Sequence, residues 1–389
     1  MPAQIPYALG SEQVFYLAEE AAWNTWQAWA GTDAMAVLKT GFDQKQPRVT
    51  RDDTRKSRSL FERMTGRKAG SWQIDSYLCG SGVAGTEPDV APLLKGLFGS
   101  QADVGGVSNE WTLGASQCPT SLQMLRVTDV FSQVLNGCIV DEGSFDFTGG
   151  PVKASFKGRN VWQTFANAIL GDGTIATNTF TAQSDAMAGQ VDENSVMIVD
   201  GTAGEDDGDG DDGLRVTDVT GSVLTFDDNL DANHSARPLK PYRPDPTYLG
   251  TPATDVVGSL TVDGGQLDLV SAKIVVSNNL NMVENIWGKD RAVYGFFLRR
   301  FVTVSLSVQY RRDMGFHYDD ARNFRQGALT IISGADAAGS GDRYTWTMPV
   351  IELDMVPIDT PEENVSMLNF TGHCIATGTG ENEISAILE

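Results

Sequence analysis

Three histidines, His234, His317 and His373, are the first candidates for chemistry, and none stands at the HExxH or HxxxH spacing that places two zinc ligands on one helix face. His317 lies in Phe316-His317-Tyr318-Asp319-Asp320, where a carboxylate can sit beside it, and reads as a partly exposed loop histidine. The run Glu205-Asp206-Asp207-Gly208-Asp209-Gly210-Asp211-Asp212-Gly213 puts Asp207, Asp209 and Asp211 at the alternate spacing of a calcium loop, with Asp218 at the closing position. Asp212 occupies the place where such a loop turns on glycine, and the usual closing ligand is a bidentate Glu, so the run reads as a solvated hairpin tip. Gly80-Ser81-Gly82-Val83-Ala84-Gly85 carries the letters of a dinucleotide fingerprint, but the proline-bearing stretch after it opens no long helix, and it reads as a turn. No nucleophile elbow or phosphate loop can be read. Cys79, Cys118, Cys138 and Cys374 are widely spaced without a CxxC pair, which predicts reduced, mostly buried thiols. Catalysis, a cofactor and a metal are therefore not expected.

The elements around these residues read as a large β protein. With 389 residues the chain can hold two or three packed units, and 41 glycines among short apolar runs predict many turns. A net charge of −22 argues against a role built on gripping phosphates. One basic stretch departs from this balance. Between Lys39 and Lys68, Lys45, Arg48, Arg51, Arg55, Lys56, Arg58, Arg63 and Arg67 crowd together and read as a charged arm that pairs with an acidic neighbour. No apolar run approaches the ~20 residues of a membrane span, and Met1 to Gly10 lacks a secretory pattern, so action in the cytoplasm is expected.

Along the chain, Ser11 to Trp29 reads as a helix, with an aromatic-rich strand as the alternative, and Trp72 to Tyr77 as a strand. Asp89 is placed to cap a short helix through Leu93, Leu94 and Leu97 that stops at Gly99. Cys138 to Gly158 reads as a hairpin, with Phe145 and Phe147 on one strand and Val152, Ala154 and Phe156 on the next. From Gly171 to Tyr248 the chain turns acidic and turn-rich, with strands expected at Ser195–Val199, Leu214–Val219 and Ser222–Phe226, and it leaves through Pro238, Pro241, Pro244 and Pro246. Alternation returns at Val302 to Tyr310, at Tyr344 to Val350 and at Leu368 to Cys374. The organisation expected is 1–170 as an arm and the first part of a β-domain, 171–248 as an inserted, outward-facing small β-domain, and 249–389 as the second part. The two β-rich parts also hint at duplication, each pairing a helix-like stretch with a hairpin.

Three stretches carry a resemblance. They are Thr54 to Ser59 with Gly70-Ser71-Trp72 and Glu87 to Gly99; Asn136-Gly137-Cys138-Ile139-Val140 leading to Val152 to Gly158; and Ile274 to Leu280 with the strand to Tyr310 and Met348-Pro349-Val350. In order and spacing they resemble the tail tube (major tail) proteins of long-tailed bacteriophages. The resemblance implies a mainly β fold, a β-sandwich or partial barrel with short helices and an inserted small β-domain. It implies stacked rings around a DNA conduit, six-fold or pseudo-six-fold, held by long loops and an N-terminal arm. Partners are then the chain itself, tape measure and terminator proteins, and a sheath in a contractile tail. Arg51, Arg55 and Arg58 become inter-subunit contacts, and the lumen wall is expected to be net negative so that it repels DNA. Competing classes are another virion component, such as a terminator or decoration protein, and a carbohydrate-binding β-sandwich using the chain's Trp and Tyr residues.

Overall fold

Alternation becomes strands wherever one face is covered. A computed structural model describes residues 13–50, 63–116, 118–128, 130–199, 213–229, 235–254, 259–262, 265–284, 286–309, 326–334, 339–354, 358–359, 367–378 and 380–389. The first part holds β1 (Val14–Glu19), β2 (Lys39–Lys45), β3 (Arg48–Thr50), β4 (Arg63–Thr65), β5 (Ala69–Tyr77), helix α1 (Ala91–Phe98), β6 (Gly99–Val104), β7 (Ser108–Leu113), β8 (Leu122–Val127), β9 (Phe131–Phe147), β10 (Lys153–Asn160) and β11 (Trp162–Asn167). In β5, Trp72, Ile74 and Ser76 are buried while Ser71, Gln73 and Asp75 face out.

Three expectations change here. The Ser11–Trp29 stretch is not helical in its described part: β1 is a strand with Val14, Phe15, Tyr16 and Leu17 all buried. Phe15 and Leu17 enter the main core and Val14 and Tyr16 a second cluster, so both faces are covered and no alternation marks the strand. The start of the basic stretch is no free arm, because Lys39–Lys45 pairs along its length with β5. Asp89 does not cap α1. Val90 is the N-cap residue and makes no side-chain cap bond, while Asp89 Oδ2 accepts the Leu249 N–H at 3.0 Å. The helix stops as read, on Gly99 at φ 86°, a left-handed conformation that favours glycine.

The acidic segment folds on itself through β12 (Ile169–Ala176), β13 (Thr179–Thr181), a four-residue helix α2 (Asp185–Ala188), β14 (Val196–Val199), β15 (Leu214–Thr220), β16 (Val223–Phe226) and β17 (Ser235–Pro241). Each strand pairs with two others, so the ladder returns on itself around Phe180, Met197, Leu214, Val216, Leu224, Phe226 and Leu239. Pro238 and Pro241 fall within β17 rather than in an exit loop. The opposite face of β14 is not free: Val196 and Ile198, with Tyr242, share a cluster with Tyr16, Trp29, Leu125, Val127 and Val134 of the body.

The remainder is β18 (Ser259–Val262), β19 (Gly265–Leu267), β20 (Leu269–Ser277), β21 (Leu280–Val283), β22 (Tyr294–Phe297), β23 (Phe301–Gln309), β24 (Gln326–Gly334), β25 (Arg343–Leu353), β26 (Ile358–Asp359), β27 (Met367–Cys374) and β28 (Ser385–Leu388). Among the described residues no helix follows Ala188. Val302, Val304, Leu306 and Val308 point inward as read, and Tyr310 lies outside the described residues. In β25 the alternation resets. Pro349 and Val350 lie opposite the single residue Ala328, a bulge that sends Ile351 and Leu353 rather than Val350 into the core.

Pairing runs β2–β5–β10–β9–β20–β23–β27–β25–β24–β18–β19, with a branch β25–β28–β7–β6, all antiparallel. Helix α1 packs against β9, β6, β7 and β1. Trp346 of β25 closes the core, with its ring 4.4 Å from Phe145 of β9 and further contacts to Phe98, Phe147 and Tyr344. A smaller sheet, β1–β8–β9–β11, takes the first half of β9. The strand changes partners at Gly137, at φ 61°, where a Cβ would lie 2.5 Å from Val161 Cγ2. Buried Glu20 holds that corner: Oε1 accepts the Gly137 N–H and Oε2 the Asn24 N–H, both at 2.7 Å.

Glu20→Gln leaves one amide oxygen for two backbone donors, so denaturant unfolding should show a loss of about 1–3 kcal/mol, the cost of an unsatisfied buried donor. For Asp89, burial raises the carboxyl pKa from 3.8 to about 6 against the opposing pull of the Leu249 N–H. A raised carboxyl pKa favours folding fully below the ordinary value and loses that contribution as pH rises through about 6. Asp89→Asn keeps an acceptor for Leu249, and melting temperatures should show a shallower fall between pH 4 and pH 7 than in the parent.

Candidate assembly surface

Half of every residue pair in the β2–β5–β10–β9–β20–β23–β27 layer points away from the core, and register lines these residues up in rows. One row reads Lys39, Asp75, Ser155, Ser144, Val275, Thr303 and His373. The next on one side reads Gly41, Gln73, Lys157, Glu142, Ser277 and Phe301. On the other side stand Tyr77, Lys153, Asp146, Lys273, Ser305 and Thr371, and beyond them Ser271, Ser307 and Asn369. The face is broad, rich in hydroxyls and almost without large apolar groups. Two shallow depressions on it are lined mainly by these polar side chains.

Its charges alternate in sign. Lys153 and Lys273 both stand opposite Asp146 on neighbouring strands. Lys157 Nζ lies 2.8 Å from Glu142, Lys45 Nζ 2.9 Å from Asp43, and Arg159 3.5 Å from Glu284. Asp75 Oδ1 accepts Ser155 Oγ–H at 2.6 Å and Gln73 Nε2–H at 3.0 Å. Such exposed pairs add little stability, but they keep each cation in the field of a carboxylate. At the side of the layer, β2 pairs with β5 alone, so its outer edge carries no strand among the described residues.

Among the described residues, no three His, Cys, Asp or Glu side chains converge as metal ligands, and no helix is long and apolar enough to cross a membrane. His373 Nε2 lies 3.6 Å from Asp354 at the surface. The Gly80–Gly85 stretch is an open turn, with Gly82 and Gly85 in the left-handed region. Asp218 sits in β15 and accepts the Thr220 hydroxyl at 2.8 Å, while the Asp-rich residues 205–212, His234, His317 and the arm residues Arg51, Arg55 and Arg58 lie outside the described residues. The thiols are less buried than read: only Cys138 is fully enclosed, Cys79 and Cys374 are half-buried and Cys118 is exposed. Burial still pushes Cys79 up to about 11 and Cys374 to about 12, which keeps both protonated and poorly nucleophilic near neutrality.

The model of the family described as phage tail tube protein matches residues 10–243, more than half of the chain. This chain belongs to the phage tail tube protein family. The match begins ahead of β1 and runs to the end of the acidic six-stranded unit, while the third stretch of resemblance, from Ile274 onward, lies beyond it. No curated protein matches the chain. As a tail tube protein it is a structural component of the virion tail, of a kind that associates with itself and with other tail proteins. The outward face suits that role better than it would suit catalysis, because it offers area, hydroxyls and paired charge.

If pairing is what keeps these lysines from phosphate, removing the carboxylates should release them. The variant Asp75→Asn/Glu142→Gln/Asp146→Asn should acquire DNA binding that weakens steeply with salt in a fluorescence anisotropy titration, whereas the parent shows none at physiological ionic strength. Equal anisotropy traces for the two proteins would show that the pairing is irrelevant.

Proposed function

We propose that the chain assembles into stacked rings that form the tail tube, a conduit through which DNA passes into the host. The observation that carries this reading is the wide, polar, charge-paired sheet face beside a β2 edge that carries no strand among the described residues, in a chain of this family. A wall for passing DNA has to avoid both trapping phosphate and exposing apolar surface. Hydroxyls and alternating charge do this without a net negative wall: Lys39, Lys45, Lys153, Lys157, Arg159 and Lys273 face Asp43, Asp75, Glu142 and Asp146. On this reading the wall differs from the net negative one that the resemblance implies.

The outer edge of β2, which carries no strand among the described residues, offers backbone donors and acceptors to a neighbouring copy, which lets the inner sheets join around a ring of six-fold or pseudo-six-fold symmetry. The basic residues Arg51, Arg55 and Arg58 follow β3 directly and act as contacts to an acidic neighbouring subunit. The unit from 171 to 248 holds 16 of the chain's 51 carboxylates, and it sits on the outside of the tube, where those charges are spread and screened. Assembly takes place in the host cytoplasm. Tape measure and terminator proteins, and a sheath where the tail contracts, are the further partners.

Electron microscopy of the purified chain tests the proposal, with hollow rods of regular axial repeat as the expected result. Single rings that never stack would instead fit a terminator, and a chain that stays small at all concentrations would refute the tube. The variant Arg51→Glu/Arg55→Glu/Arg58→Glu should keep the parent's circular dichroism and melting temperature yet form no rods.

A further inference from the structure

Between β20 and β23, which are neighbours in the sheet, the chain makes an excursion. It rises into the hairpin β21–β22, in which Leu280 to Val283 pairs with Phe297 to Tyr294. A two-stranded hairpin is marginal alone, and this one is held on its inner side by Leu280, Met282 and Phe297 packing on Ile139 and Val161. Its other side carries Tyr294 and Phe296, with rings 6.5 Å apart, and Leu298 follows.

The loop of the hairpin is fastened as well. The Arg67 guanidinium donates to the carbonyls of Glu284 and Ile286, and the Lys68 N–H donates to the Asp290 carbonyl. Lys68 Nζ sits 3.6 Å from the Trp162 ring centroid, with Arg291 over the same ring. On this anchored loop Trp287 is 95% exposed, and Tyr294, Leu298 and Phe301 are each about half exposed nearby in sequence. Fixing a loop costs conformational entropy, and displaying a bare indole on it gains nothing in a lone subunit.

We infer that the hairpin β21–β22 is a docking element for a second copy of this chain, with Trp287 as its anchor. The occupant follows from charge. On and beside the hairpin stand Lys68, Arg159, Lys289, Arg291 and Arg299, of which Lys68 and Arg291 pair with Asp290 and Arg159 with Glu284, while Asp141 accepts the Leu280 N–H at its base; these cations outnumber the three carboxylates in a chain whose net charge is −22. The rest of any other copy is therefore more acidic than that total, and an aromatic anchor inside a cationic rim is complementary to it. Because the hairpin and its acidic target are different surfaces, the contact is head-to-tail and propagates, as a tube requires. The inference rests on the self-assembly reading and adds the surface through which it occurs.

Sedimentation velocity and electron microscopy of the full chain test it. Trp287→Ala should retain the parent's circular dichroism and melting temperature, since the side chain packs on little, while the concentration needed for assembly rises by at least about tenfold, as for an interface hot spot. Trp287→Phe should recover part of that loss, and Lys289→Glu, at an exposed loop position, should weaken assembly even if the alanine variant fails to fold. Assembly of Trp287→Ala and Lys289→Glu at the parent's threshold overturns the inference and leaves the tube reading standing. A parent that never associates overturns that reading, and the docking surface with it.

Discussion

The body of this protein depends on one strand serving two sheets. β9 is 17 residues long, and its first half pairs with β8 and β11 while its second half pairs with β10 and β20. An extended backbone cannot turn between two sheets without leaving amides unpaired, and the change falls at Gly137, where the left-handed backbone aims an N–H away from the ladder. Glu20 takes that N–H and, with its second oxygen, the Asn24 N–H of the turn following β1. Burial raises the Glu20 pKa, and the hydrogen bonds from Gly137, Ser121 and Asn24 oppose the shift. The corner, the entry of the chain and the junction of the two sheets are thus held by a single carboxyl group.

From this corner the layers follow. The second half of β9 carries Phe145 and Phe147 into contact with Trp346, so the long strand also supplies the face on which the opposite end of the sheet closes. The same strand sends Glu142, Ser144 and Asp146 to the outside, between the lysines of β10 and β20. Core packing and surface charge pairing are two sides of one register, and a slip by one residue would invert both.

Strands with one dry and one wet face were legible from sequence. The alternation in β5, β10 and β23 gave direction as well as location, and the tail tube family was readable from the order of such segments. β1 was legible as a strand only as the alternative to a helix, because both of its faces are buried and a short wholly apolar run has no period of its own. Asp89 stood at a capping position but bonds Leu249, 160 residues away, a choice that local pattern cannot reveal. The bulge at Pro349 and the sign alternation across the outward face depend on which strands are neighbours, and Lys153 and Lys273 meet Asp146 only through long-range register. Trp287 was visible only as one tryptophan among 8 until its exposure set it apart.

The six-stranded unit interrupts the chain between β9 and β20, whose partners Phe147 and Ala272 are about 125 residues apart. Its own ends nevertheless meet, because Ile169 pairs with Leu239. For loop-closure entropy the intervening residues then count as a short link, and each halving of an effective loop is worth only about 0.6 kcal/mol. The sheet thus barely senses the length of what is inserted there. What it does sense is the cover that Val196, Ile198 and Tyr242 place over Tyr16 and Trp29, so a descendant lineage could enlarge, shrink or exchange the outer strands freely only while retaining that small apolar footprint.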